Sequence, residues 1–193
     1  MEKIKIKFLE QTQIQSDINE HINTLYEYAS KCNHITEMGV RWVSSTWGLL
    51  YSKPEKMISY DIVTNPNINE VINLSEECGI NYSFVESDVL SINIEPTELL
   101  FIDTLHTYNQ LILELKQHSS NVSKYIILHD TETFGFNDEV IYNHASNIVK
   151  SVNNNKQGLM NAVTDFLETE LGKSWEILHH FKNNNGLTIL KRI

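Results

Sequence analysis

Cysteine, proline and glycine are all scarce in this chain of 193 residues, with two, three and seven of each. The two cysteines, Cys32 and Cys78, make neither a disulfide framework nor a paired zinc-ligand motif, and read as small apolar residues. The dinucleotide fingerprint G-x-G-x-x-G is missing, which argues against an NAD- or FAD-binding Rossmann domain. No apolar run approaches the roughly 18 residues that a membrane span needs. The first residues, Met1 to Lys7, are charged and amphipathic and lack the apolar stretch of a signal peptide, so no membrane partner and a cytoplasmic location are expected. Positive charge is short as well: 15 Lys and Arg stand against 25 Asp and Glu, a net charge of −10. Apart from the first seven residues the lysines are scattered, without the basic stripe that grips a phosphate backbone, so nucleic acid is not the favoured partner.

What is present is a globular composition, 41% hydrophobic and 21% charged, in a length that suits one domain over 1–193. Asp17 to Lys31 carries Ile18, Ile22, Leu25, Tyr26 and Ala29 at helical spacing, with Ser16 or Asp17 as the cap. Residues 1–31 thus form an N-terminal amphipathic helical segment. Short apolar runs then alternate with helical stretches. The runs are Ile35 to Gly39, Lys56 to Asp61, Ile80 to Glu86, Glu98 to Asp103 and Lys124 to Asp130. Between them Ser45 to Ser52, Ile68 to Cys78 and Tyr108 to His118 read as helices. Nearly uniform apolar strands separated by helices predict a parallel sheet covered on both faces. After a helix from Leu159 to Leu171, the stretches Trp175 to Phe181 and Leu187 to Leu190 flank an Asn-Gly turn, so an antiparallel hairpin closes the chain. Phe134 to Gly158 is the least readable segment, a candidate lid or substrate segment.

Acids sit just past the apolar strands: Glu37, Asp61, Asp103 and Asp130. In a parallel sheet all carboxyl ends share one edge, where open α/β folds bind ligands. One such acid can simply cap the next helix. Four of them at one edge repel each other unless a ligand or metal uses them. Gly39 would let backbone approach a ligand, and Ser45 and Thr46 lie near a helix start. Trp42, Trp47 and Trp175 read as packing residues, and Arg41 as either a ligand contact or a surface charge.

These stretches carry a family resemblance. ITEMGVRWVSSTWGLL (35–50), SYDI (59–62), FVESD (84–88), FIDTLHTY (101–108), IILHDT (126–131) and FKNNNGLTILKR (181–192) resemble motifs of class I S-adenosylmethionine (SAM)-dependent methyltransferases. Within that class the chain is similar to small enzymes related to the cephalosporin-hydroxylase and macrocin O-methyltransferase group, over roughly Ile35 to Ile193. The resemblance implies a Rossmann-like class I methyltransferase fold: a mostly parallel seven-stranded sheet ending in an antiparallel hairpin, with helices on both faces. It implies SAM as cofactor, with Glu37, Gly39, Ser45 and Thr46 around the methionine part, Asp61 on the ribose, Ser87 and Asp88 at the adenine, and Asp103 also in the site. It further implies a divalent cation, Mg²⁺ or another, between Asp103 and Asp130. Alternatively His106 or His129, poised near neutral pH, acts as the general base beside Asp103; the acceptor on either reading is a small-molecule or sugar hydroxyl. A homodimer is one arrangement open to it.

Two departures leave alternatives open. Val43 stands where the first motif commonly has a second glycine, and Thr104-Leu105 where the fourth signature often reads Gly-Asp. A decayed, non-catalytic binding module is one alternative. A metal-dependent enzyme of another class using Asp103 and Asp130 is the other.

Overall fold

Apolar strands need cover on both faces, and the chain supplies it by returning a helix after each strand of the parallel part. The computed structural model describes residues 1–140, 149 and 155–193. In chain order the elements are α1 (Glu2–Gln13), α2 (Ile22–Ala29), β1 (His34–Met38), α3 (Ser44–Tyr51), β2 (Lys56–Asp61), α4 (Ile68–Glu77) and β3 (Asn81–Glu86). Then follow β4 (Thr97–Ile102), α5 (Tyr108–His118), β5 (Val122–His129), α6 (Leu159–Leu167), β6 (Trp175–Phe181) and β7 (Leu187–Arg192). The strands form one seven-stranded sheet in the order β3-β2-β1-β4-β5-β7-β6. β1 to β5 pair in parallel, and β7 runs antiparallel to both β5 and β6. The parallel sheet with a terminal hairpin is therefore the observed architecture. Among the described residues no helix is long and apolar enough to cross a membrane.

Alternation along the strands splits the core in two. Ile35, Met57, Leu99, Phe101, Ile127 and Ile189 face one layer, built from α1 to α4. Met38, Ile58, Leu100, Ile102, Ile126, Leu128 and Leu190 face the other, built from α5 and α6. The strand order reverses between β1 and β4, which opens a crevice at their carboxyl ends.

That crevice exists because the chain passes very close to itself. Gly39 continues β1 with φ +84°, and its N–H donates to Tyr60 O at 2.9 Å. A Cβ on Gly39 would lie 2.0 Å from the Asp103 carbonyl oxygen. Only glycine fits there.

Four readings from the sequence are corrected. The Asp17 to Lys31 helix is shorter: Asn19–His21 is a single 3₁₀ turn and α2 begins at Ile22. Neither Ser16 nor Asp17 caps it. Ser16 Oγ accepts from Ile18 N, and Asp17 instead pairs with Arg41. α6 stops at Leu167, where Thr169 donates to Phe166 O through both its N–H, at 2.9 Å, and its Oγ1, at 2.6 Å, and Leu171 is left exposed. Trp47 and Trp175 are buried as expected, but Trp42 is 64% exposed. Cys32 is buried and Cys78 half-buried, and both are free thiols.

Gly39→Ala is expected to cost on the order of 3 kcal/mol, combining steric overlap with a left-handed L-residue. Urea unfolding should show a lower midpoint at unchanged slope. A midpoint equal to the wild type would mean that β1 and β4 can part freely.

Candidate functional site

The ends of β1, β2, β3 and β4 and the loops after them enclose a cleft of about 750 Å³. Its volume falls in the range of small-molecule sites. Gly39, Asp61, Ser87, Asp88 and Asp103 all line it. Asp61 ends β2 and holds the loop after β1: Oδ2 accepts from Val40 N at 2.7 Å and Arg41 N at 3.0 Å, while Oδ1 accepts from Val63 N at 3.1 Å. A carboxylate has about four acceptor sites, so one remains for a ligand unless the loop yields another. Asp88 caps the short turn after β3, its Oδ1 accepting from Leu90 N at 3.0 Å.

Glu37, Ser45 and Thr46 are also brought together, but behind the cleft rather than on its wall. Glu37 is fully buried beneath α3 and accepts from Ser45 Oγ at 2.7 Å, Thr46 Oγ1 at 2.9 Å and Ser59 Oγ at 2.6 Å. Burial raises its pKa to about 7, against the three hydroxyls that favour its charge; nearby Asp103 adds to the rise.

Beside the cleft, Asp103, His106, His129 and Asp130 converge from the ends of β4 and β5. His106 Nε2 lies 3.2 Å from Asp103 Oδ1 and 2.9 Å from Asp130 Oδ2. His106 Nδ1 meets Glu139 Oε2 at 2.5 Å. His129 Nδ1 is 3.4 Å from Asp103 Oδ1, and its Nε2 donates to Asp17 O at 3.1 Å. Burial opposes charge on both rings, yet the carboxylates outweigh it and push His106 up to about 12 and His129 up to about 10. Burial likewise opposes charge on the acids, but the two histidines hold Asp103 well below the usual carboxylate range and Asp130 at about 2. Neither ring therefore offers a free basic nitrogen to the cleft. Among the described residues Asp130 Oδ1 is buried without a partner. Asp103, His129 and Asp130 each place a ligand atom within 4.8 Å of the others.

Neither a protein-family model nor a curated protein matches the chain. Solved structures do. A Staphylococcus aureus protein described as a caffeoyl-CoA O-methyltransferase superposes with TM-score 0.63 at 12% identity, covering 98% of this chain and 92% of that one. The S-adenosylhomocysteine (SAH)-bound Podospora anserina methyltransferase PaMTH1 superposes with TM-score 0.55 at 12% identity, over 98% and 87%. The N-terminal domain of EvdMO1, solved with SAH and D-fucose, gives 0.53 at 16% identity, over 92% and 82%. Ribosomal RNA methylases share the fold too. This is the class I methyltransferase fold.

Several residues of this methyltransferase-fold cleft escaped the sequence reading. Trp42 stands exposed at the mouth, and Ile62 and Val63 beside it are 48% and 60% exposed. Thr104 and Gln110 line the cleft, and both donate to the buried Glu114, at 2.7 and 2.6 Å. Burial pushes Glu114 up to about 7 against those two bonds. Spacing offers a trace of this pair, since Gln110 and Glu114 share a face of α5. Glu139 had no signal, for it meets His106 from the least readable segment. Of that segment, 141–148 and 150–154 lie outside the described residues. Val43 adopts φ +63°, the left-handed conformation that suits a glycine, while its side chain is 3% exposed.

Glu37 gives a pH test. A carboxyl with a raised folded pKa contributes stability that is complete below its unfolded value of 4.5 and lost as pH rises through about 7. Glu37→Gln cannot ionise, so its melting temperature should gain on the wild type between about pH 5 and about pH 8. Parallel profiles for the two proteins would contradict the burial argument.

Proposed function

We propose that this protein is a SAM-dependent methyltransferase acting on a small-molecule or sugar hydroxyl. One observation carries the reading: Asp61, Asp88 and Asp103, from three strand ends, line one cleft at the point where strand order reverses. Asp61 would accept from the ribose hydroxyls while keeping the loop after β1 in place. Ser87 and Asp88 would meet the adenine, and the Gly39 backbone the methionine end. Glu37 would act at one remove, tying Ser45 and Thr46 at the start of α3. When bound, SAM would supply a sulfonium methyl group for the acceptor oxygen, leaving as S-adenosylhomocysteine, and the hydroxyl proton would pass to solvent. The protein's main work is then alignment of donor and acceptor.

Asp103 would receive the acceptor hydroxyl, a reading supported by the 26% exposure of its side chain at the cleft. His106 and His129 hold that carboxylate ionised and in place. The two carboxylates suit a divalent ion in their chemistry, because Asp130 Oδ1 lacks a partner among the described residues and Asp103 and Asp130 offer oxygen atoms close together. Asp103 and Asp130 would hold it, and its charge would acidify the acceptor hydroxyl. Binding without turnover is the second reading, favoured by the strained, buried Val43 in the loop that would meet the cofactor.

Millimolar SAM or SAH should raise the melting temperature, as any ligand of the native state does. Asp61→Ala should abolish that shift, judged against the variant's own ligand-free melt. No shift in the wild type would remove the SAM reading, and metal retention in its place would point to an enzyme of another class.

A further inference from the structure

The space between the Asp103 and Asp130 carboxylates is occupied by protein. His106 Nε2 stands 3.2 Å from Asp103 Oδ1 and 2.9 Å from Asp130 Oδ2, so one ring nitrogen bridges the pair. An ion shared by those oxygens would sit at about 2.0–2.6 Å from each, in the same place. The ring is secured from its other side. Nδ1 bonds Glu139 Oε2, Phe134 stacks on it at 5.0 Å with planes 2° apart, and Glu139 N donates to His106 O at 3.0 Å. His129 reaches the same two oxygens only at 3.4 and 3.5 Å, as a flanking group. Among the described residues Asp130 Oδ1 stays buried and unpartnered, so the ring serves only part of the acceptor capacity of the pair.

We propose that His106 is a built-in plug of the cation position, so that a divalent ion seats between Asp103 and Asp130 only when the ring swings out and breaks its bond to Glu139. The proposal rests on the metal reading above and adds a competition to it. It also links ion entry to the 132–140 loop, because Glu139 grips His106 by both side chain and backbone. A ring that plugs and a ring that ligates predict opposite signs. Removing a plug tightens ion binding, and removing a ligand weakens it.

Mn²⁺ binding to the full chain, followed by electron paramagnetic resonance at one pH, separates the two. His106→Ala should bind Mn²⁺ at least about tenfold tighter than the wild type, a change of about 1.4 kcal/mol. Glu139→Gln, which leaves the ring intact and loosens its anchor, should tighten binding by a smaller factor, and it preserves the test should His106→Ala fail to fold. Adding Asp130→Asn to either variant should cancel the gain. Unchanged or weaker binding in His106→Ala, or in Glu139→Gln where that variant stands alone, overturns the plug and leaves the metal reading standing. A gain that survives Asp130→Asn also overturns it, by placing the ion elsewhere. No binding in any folded variant overturns plug and metal reading together.

Discussion

The contact between Gly39 and the backbone of Asp103 is the constraint on which the site depends. β1 and β4 are neighbours in space but lie on opposite sides of the strand-order reversal, so their carboxyl ends diverge into loops that run apart. Met38 O accepts from Asp103 N at 2.8 Å, holding the two ends together for one residue more before they part. Any side chain at position 39 would wedge them open and shift Asp103 relative to Asp61. The cleft is therefore a consequence of backbone proximity first and of its polar side chains second.

Once the ends converge, their charges must be managed. The acids are divided into two environments. Asp103, Asp130 and Glu139 surround His106, with His129 against the first two, and the pairing of the two aspartates with the rings favours charge on Asp103, Asp130 and both histidines. Among the described residues Glu37 and Glu114 have only hydroxyls and an amide as hydrogen-bond partners, and burial shifts both towards their neutral forms. The charged group sits at the cleft, and neither Glu37 nor Glu114 is among the residues that line it.

The N-terminal segment and the hairpin turn close the same region from outside. Asn184 Nδ2 donates to Ser16 O at 2.8 Å, His21 Nε2 meets Asn183 O at 2.9 Å, and Glu132 N donates to Asn185 O at 2.9 Å. The turn therefore ties residues 16–21 and the loop after β5 to one point. Asp17 completes the link by contacting Arg41 through its carboxylate and His129 through its carbonyl.

The sequence by itself determined the strand and helix alternation, the terminal hairpin and the residues at the strand ends, because each of these follows from local spacing and backbone preference. Gly39, Asp61 and Asp103 were legible for that reason: a glycine or an acid immediately past an apolar run has one place to go in a parallel sheet. Only the tertiary structure decided which of those groups face the cleft. Glu37, Ser45 and Thr46 turn to the opposite face because alternation along β1 points position 37 under α3, where three hydroxyls await it. Trp42 is exposed because the loop that carries it bends through two left-handed residues, Arg41 and Val43. Glu139 reaches His106 across 33 positions of chain, and a contact at that separation leaves no periodic trace, since it arises from packing between loops and not from the repeat of any one element.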